Sequence, residues 1–533
     1  MKRSNIILLA LVVIAVAGMV TYFAMQKGEE ADAVEAKEAA AQAEAEKLDN
    51  TDAGKDFKAT LKGAADAFSG YYFYRSPYLQ KLMRRSNYRV IITDDFANGD
   101  GYKERFEKLA AGEYDFVVAT VDSDILNSAQ LNFPGVITMI GDVSKGADCV
   151  LALKEMGEEL DDFRGEEFRI ALTPDSPTEH VLKNVKAHFG IAEFHPPKGS
   201  PLRVETRGSE EALQLLIDRK VKVAGVWEPQ CSQGKARDDI VEVFSTKDTE
   251  GYVVDVLIWN RKFLADNLPL VRKFQENYFR TLKFYFDNPD NLVAELKKET
   301  GLSEDLVKAV IDGIAWQNLT DNATRWFGIA LPGEDADEYI VSVIESTVKV
   351  LMQNGDFQKN PLPEDGNPYA IFYPDIIEDL YKMGLDATSG GPAGLVKASF
   401  SQLPPERWAQ LSSKGNLKVP PIEFMGGDYI LTFVGNQQLD SLAADLKHFP
   451  SYRIMVIGHT SAGGDESVNQ ELSLKRAQAV IQYLTMVHDY DPNRCLAVGK
   501  GGSEPLSKEI GEDPRRWRKR QKRVQIVLKK EVF

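Results

Sequence analysis

Twenty consecutive residues without a charge, Ile6 to Met25, follow Lys2 and Arg3, and they constrain this chain before anything else in it. At about 1.5 Å per residue such a run matches a hydrocarbon core of roughly 30 Å. The expectation is an uncleaved membrane helix. A cleaved signal peptide is the alternative, with Ala15-Val16-Ala17 as an A-x-A site. Either way, Lys2 and Arg3 hold the N-terminus on the cytoplasmic side and the remaining chain crosses the membrane. No cysteine closes the run, which argues against lipoprotein processing. The Ala/Glu-rich stretch that follows has high helix propensity and almost no large apolar side chain, so it reads as a solvated stalk.

The rest has ordinary globular composition, 43% hydrophobic and 27% charged in 533 residues. Lys plus Arg is 64 against 80 for Asp plus Glu, a formal net charge of -16. That balance excludes nucleic acid as the expected partner, because phosphate backbones need a basic face. Three cysteines, Cys149, Cys231 and Cys495, exclude a disulfide framework. They leave one disulfide open without selecting its pair. The chain has no P-loop, HExxH, CxxC, GxSxG or complete dinucleotide fingerprint. Neither an enzyme nor a cofactor nor a metal is therefore expected.

From residue 58 to 357, short apolar runs alternate with amphipathic helices. Expected strands are 88–93, 114–120, 136–140, 149–153, 168–172, 202–206, 223–226 and 253–259. The alternation predicts an α/β region with largely parallel sheets, long enough for two lobes. Ser176 and Thr178 open a helix, where backbone N–H groups favour a polar or anionic group; plain N-capping is the bland reading. Trp227 beside Glu228 suits a cationic or hydroxylated ligand, or is a core indole beside a solvated acid. Asp122 and Ser123 follow a strand, at the carboxyl end where open sheets place ligands. The cluster Tyr71, Tyr72, Tyr74 and Arg75 (YYFYRSP) reads either as a ligand-touching turn or as a first strand with packed tyrosines.

Several of these pieces, in order, resemble the bilobed solute-binding proteins of ABC importers, in the subgroup with nitrate, sulfonate and thiamine-precursor binders. They are Asp142-Val-Ser-Lys-Gly146-Ala-Asp148, Leu160-Asp-Asp-Phe-Arg-Gly165, Ser176-Pro-Thr178-Glu-His180, Ala224-Gly-Val-Trp227-Glu228-Pro229, and Ala315-Trp316 with Trp326-Phe327-Gly328. The resemblance implies an α/β bilobed periplasmic binding-protein fold. It implies a small polar solute at Tyr72, Tyr74, Arg75, Asp122, Ser123, Ser176, Thr178, Trp227 and Glu228.

Residues 358–420 are rich in Pro, Gly and Ser and read as a linker with short helices. Strand-like 422–424 and 429–432 then open a small α+β domain, 421–533. Its motifs are Ile457-Gly-His-Thr460, Asn469-Gln-Glu-Leu472-Ser473, Lys475-Arg476-Ala477, Gly499-Lys-Gly501 and Lys522-Arg523-Val524. They resemble the OmpA-like peptidoglycan-associated domain, with G-H-T-D, N-x-x-L-S-x-x-R-A and a closing N-R-R-V-E-I. The resemblance implies peptidoglycan binding at Thr460, Ser461, Asn469, Leu472, Arg476 and Arg523. In that family an acid and an arginine clamp the zwitterionic end of the stem peptide, and the arginine maps to Arg476. The acid maps to Ser461, and a hydroxyl supplies no counter-charge. Asp465 substitutes only where the loop brings it in, and Gln521 replaces the asparagine of the closing motif. The basic run 515–523 reads as a solvated face.

Joined, these pieces predict an anchor (1–27), a stalk (28–57), a bilobed domain (58–357), a linker and an OmpA-like domain. The chain is expected to be a single-pass protein of the cytoplasmic (inner) membrane, with its bulk in the periplasm. Its expected partners are a small polar solute, peptidoglycan, and an ABC permease or other inner-membrane protein. The competing reading is a non-catalytic scaffold between membrane and wall with a degenerate cleft; an apolar-filled cleft would mark it.

Overall fold

The structure, a computed structural model, describes residues 57–530 apart from 98, 100, 332–335, 385–399, 462 and 510. The expected anchor, and all but the last residue of the stalk, lie outside the described residues. Among the described residues no helix is long and apolar enough to cross a membrane.

The backbone divides into two compact units, residues 1–61 with 76–91, and residues 62–75 with 92–533. In the smaller, Ser76 caps the helix Pro77–Arg85, its Oγ accepting from Leu79 N–H at 3.2 Å. Proline at the first helical position suits a site whose N–H has no intrahelical partner.

The larger unit carries three sheets. Their strands, in chain order, are β1 (Ala59–Ala64), β2 (Tyr88–Thr93), β3 (Phe116–Thr120), β4 (Gly135–Ser144), β5 (Asp148–Leu153), β6 (Ile170–Leu172), β7 (Arg203–Glu205), β8 (Val223–Trp227), β9 (Ile240–Ser245), β10 (Val254–Asn260), β11 (Ile314–Trp316), β12 (Ser412–Leu417), β13 (Arg453–Gly458), β14 (Cys495–Gly499) and β15 (Val524–Lys530). The first lobe holds β11-β4-β10-β3-β1-β2. β1 and β2 enter it through their last residues: Gly63 and Ala64 lie against Phe116 and Val117, and Ala65 N–H donates to Thr93 O at 3.0 Å. The second lobe holds β7-β6-β8-β5-β9. β3, β4 and β5 are buried along their whole length, which is why their apolar stretches 136–140 and 149–153 stand out in the sequence.

The sheets are mixed rather than largely parallel. β10 runs antiparallel to β3 and β4, and β5 antiparallel to β8 and β9. The cause is topological. The chain leaves the first lobe from β4 into β5 and returns from β9 into β10, so these neighbours point in opposite directions. Strands β1, β9 and β11 were not expected; β1 is Ala/Gly-containing and β11 only three residues long. YYFYRSP is not a strand: Ser69–Tyr71 is a 3-10 turn that runs into the helix Tyr72–Arg75.

Part of the expected linker belongs to the first lobe. Ile371, Ile376, Ile377 and Leu380 are buried, and Tyr373 N–H donates to Ile137 O at 2.7 Å. β12, also in that stretch, is the edge strand of the third sheet, ordered β12-β15-β13-β14. Helices Phe433–Leu446, Glu466–His488 and Pro514–Gln521 accompany this sheet. Residues 422–424 and 429–432 make a single bridge, Phe424 to Leu431, rather than strands. Gly426 and Gly427 turn the chain between them, Gly427 at φ 78°, so no ladder extends.

One apolar core runs through the second lobe and the C-terminal domain. Phe189, Phe244 and Tyr252 share it with Leu417, Phe449 and Ile454. Phe189 and Phe449 meet edge to face at 5.8 Å. On the opposite face of the second lobe, a disulfide joins Cys149 in β5 to Cys231, within a smaller core around Leu151, Leu213 and Val226. Cys495 is free.

Candidate functional site

The two crossings between lobes are tied together by one side chain. Thr246 Oγ1 lies 2.7 Å from Ser144 Oγ and accepts from Gly146 N–H at 2.9 Å. Register then sets the chemistry on either side of this hinge. In the first lobe Asp255 of β10 pairs across the strands with Asp142 of β4. In the second, Asp148 at the start of β5 pairs with Trp227 at the end of β8. Such cross-strand partners sit about 5 Å apart at Cβ.

Asp255, Asp148 and Trp227 line one pocket with Asp66, Phe68, Tyr71, Tyr102, Pro177 and Val253; its free volume is about 20 Å³, room for about one water-sized group. Tyr71 Oη donates to Asp255 Oδ1 at 2.5 Å. Asp66 accepts from the buried Arg105 at 3.1 Å. That guanidinium also donates to both Asp95 oxygens and to Val118 O, each at 2.7 Å. Asp148 Oδ1 and Asp122 Oδ2 are buried with no hydrogen-bond partner, while Asp255 meets Asp142 and the Tyr74 hydroxyl meets that of Tyr278.

Burial disfavours these charges. It pushes the Asp148 carboxyl up to about 7, against the help of the Ser144 hydroxyl. It takes Asp122 to about 6. Asp255 is raised by burial and then by the neighbouring Asp142, which is itself lifted to about 7. A group of acids this poorly solvated lowers the stability of the empty protein. That is the pattern of a binding or catalytic site rather than of a packing core.

Of the nine expected ligand residues, Trp227 lines this pocket. Tyr74 stacks on Tyr278 at 4.7 Å behind it, where a Cβ on Gly141 would meet the Tyr74 hydroxyl. Asp122 is close enough to raise Asp148 electrostatically. Ser123 Oγ donates to Asp175 O at 3.1 Å, a contact from the first lobe to the second. The others are engaged structurally. Tyr72 Oη meets Tyr285 Oη at 3.2 Å. Arg75 holds the carbonyls of Asp66 and Phe68 and pairs with Glu299. Ser176 caps the helix Pro177–Phe189, accepting from Glu179 N–H, with Thr178 Oγ1 at 3.0 Å. Glu228 accepts from Ser232 N–H and Oγ. Sequence reasoning missed Asp66, Phe68, Tyr102 and Asp255. It placed Tyr71 in a cluster read as a ligand-touching turn or a first strand, and quoted Asp148 inside a motif without a role.

In the C-terminal domain, Arg476 lies over the Phe424 ring at 5.2 Å and its Nε donates to Asp428 O at 2.9 Å. No carboxylate is bonded to it among the described residues. Thr460 is buried with its Oγ1 unpartnered, and Thr460 N–H donates to Gly501 O. Ser461 is half-buried. Asn469 Nδ2 donates to Gly463 O. Leu472 lies on the long helix Glu466–His488, half-buried. Arg523 donates to the carbonyls of Gln521 and Glu504. Asp465 is occupied as the N-cap of the long helix, accepting from Ser467. Eleven residues of helix separate it from Arg476, a rise of roughly 16 Å, so it does not replace the missing acid. Gln521 is buried against Leu506, a structural role. In the basic helix Pro514–Gln521, Arg515, Arg516, Arg518 and Lys519 are exposed.

Comparison with known proteins adds the following. Among curated proteins, the chain is 33% identical over 94 residues to outer membrane protein A of Bordetella avium, covering 18% of this chain and 46% of that protein. It is 38% identical over 69 residues to outer membrane porin F of Pseudomonas aeruginosa, covering 13% of this chain and 20% of that protein. It thus spans less than half the length of the curated relatives it matches. Among solved structures, it is similar to the periplasmic aliphatic sulphonate binding protein SsuA from Escherichia coli. The TM-score is 0.45 and the identity 12%, over 59% of this chain and 92% of that one. Such a likeness carries no argument about ligand. Residues 423–518 match the OmpA family model. That segment holds β13, β14 and the helices Phe433–Leu446 and Glu466–His488, so this part of the C-terminal domain is similar to the OmpA family.

Proposed function

We propose that the chain is a solute receptor of the cell envelope. Two lobes close on a small polar solute, the OmpA-like domain holds the receptor to peptidoglycan, and the N-terminal apolar run anchors it in the inner membrane. The carrying observation is the hinge pocket, whose buried acids come from both lobes. A scaffold with a degenerate cleft has no reason to retain them, because each uncompensated buried carboxylate is destabilising. The role is binding rather than catalysis, and it serves transport through an ABC permease or sensing through the wall domain. The disulfide in the second lobe fits an oxidising compartment. Arg476, with Thr460 near the start of the same motif series, supplies the wall contact through the carboxylate of a stem peptide.

A thermal-shift screen of the full chain against small amines, anions, amino acids and neutral polyols tests the receptor. A ligand of the folded state raises the melting temperature in step with the logarithm of its concentration. The expected result is such a shift, lost in Trp227→Ala. A folded protein that responds to no class would favour the scaffold.

A further inference from the structure

We propose, resting on the receptor reading, that the hinge pocket takes a small organic ammonium ion. Three properties of the site agree on this. The first is sign. Asp66, Asp148 and Asp255 line the pocket, and no lysine or arginine does. The nearby Arg105 is engaged by Asp95, Asp66 and a carbonyl, so its charge is already matched. An anionic solute would enter a field of its own sign with no donor cation to meet it.

The second property is the wall. Tyr71 and Trp227 line the same space as the acids, as does Tyr102, whose ring already carries Arg105 at 5.2 Å. Ring faces attract a desolvated cation and offer nothing comparable to an anion. The third is unmet hydrogen bonding. Asp148 is 2% exposed and one of its oxygens has no donor, while Asp255, 1% exposed, meets the Asp142 carboxyl beside the Tyr71 hydroxyl. An ammonium group brings donors and no acceptor, whereas a sulfonate or carboxylate brings acceptors only. A hydroxyl donates one proton but leaves the charge unmatched.

The two acids come from different lobes, Asp255 from β10 and Asp148 from β5. One ammonium bridging them therefore ties the lobes across the hinge. Bound cation then favours the charged acids and the closed arrangement together.

Calorimetric titration of the full chain with n-butylammonium, n-butanesulfonate and butan-1-ol separates the classes, since the three share one alkyl chain and differ in the head group. The expected result is saturable binding of n-butylammonium alone, weakened about tenfold or more in Asp148→Asn and in Asp255→Asn. Both replacements remove a buried charge without changing shape, and the melting temperatures of the empty variants report that they fold. Binding of the sulfonate or the alcohol as tightly as the ammonium would overturn the assignment of charge and leave the receptor reading intact. Ammonium binding that ignores both substitutions would place the site elsewhere and overturn the inference. Binding of none of the three by the folded chain would overturn the ammonium assignment, while the receptor reading is decided by the wider thermal-shift screen.

Discussion

Asp148 shows how a single residue ties stability to function. Ser144, Asp122, Glu228 and Asp66 surround its carboxyl, and burial lifts it to about 7 from an ordinary value near 4. Between those two values the folded state binds more protons than the unfolded chain. Its contribution is therefore favourable on the acid side and is lost as pH rises toward 7. Buried imidazoles act in the opposite sense. His448, held down to about 4, and His180, held down to about 3, weaken the fold as pH falls below their ordinary 6.5. The difference between variant and parent isolates the acid. Asp148→Asn should become progressively more stable than the parent from pH 4 to 7, by on the order of 1 kcal/mol per pH unit at most. Urea melts of both proteins across that range check it, and a constant difference would show that Asp148 does not titrate there. The same substitution is expected to lose ligand, the usual opposition between stability and a strained site.

Elements were easier to read than the site they build. β3, β4, β5 and β10 are mostly apolar and buried, interrupted by Asp142, Asp148 and Asp255, and such strands leave their trace directly in the sequence. Their direction was not legible, because nothing local marks a strand that returns from another lobe. Nor was the pocket. Asp142 faces Asp255, and Asp148 faces Trp227, only through register between strands far apart in the chain. Tyr71 lines it because its segment is helical, where a strand had been one of two readings. The OmpA-like domain was legible because its motifs are short, ordered and contained in one stretch. The cysteines illustrate the limit: spacing left the pair open, and the fold joins Cys149 to Cys231, 82 residues apart. Closing a loop of that length restrains the unfolded chain. Replacing both cysteines with alanine should destabilise the second lobe by on the order of 3–5 kcal/mol. Denaturant melts would detect this, and an unchanged midpoint would mean the bond is not formed.

At the scale of the molecule, the C-terminal domain is built into the second lobe rather than hung from it. Tyr252 and His188 of the second lobe stack at 5.5 Å, and both contact His448 and Phe449 of the C-terminal domain. His448 Nδ1 lies 2.7 Å from Glu250 O, and Lys349 pairs with Asp445 at 2.7 Å. A chain cut at residue 357 would expose Phe189, Phe244 and Tyr252, so the domain boundary read from composition is not a boundary of the core. Phe449→Ala should cost about 3–5 kcal/mol. It should lower the melting of the second lobe and the C-terminal domain together in scanning calorimetry, whereas two transitions, only one of them shifted, would show that the units fold separately. On the proposed function, this shared core couples closure to the C-terminal domain, since whatever moves the second lobe moves the domain packed on it. The central claim is that solute closes the two lobes on each other. The most direct test is the distance between labels at Lys103→Cys in the first lobe and Lys198→Cys in the second, in a Cys495→Ser background. With n-butylammonium present the account predicts one narrow, short distance, broadening toward longer values when the solute is removed. An identical distribution in both conditions would contradict it.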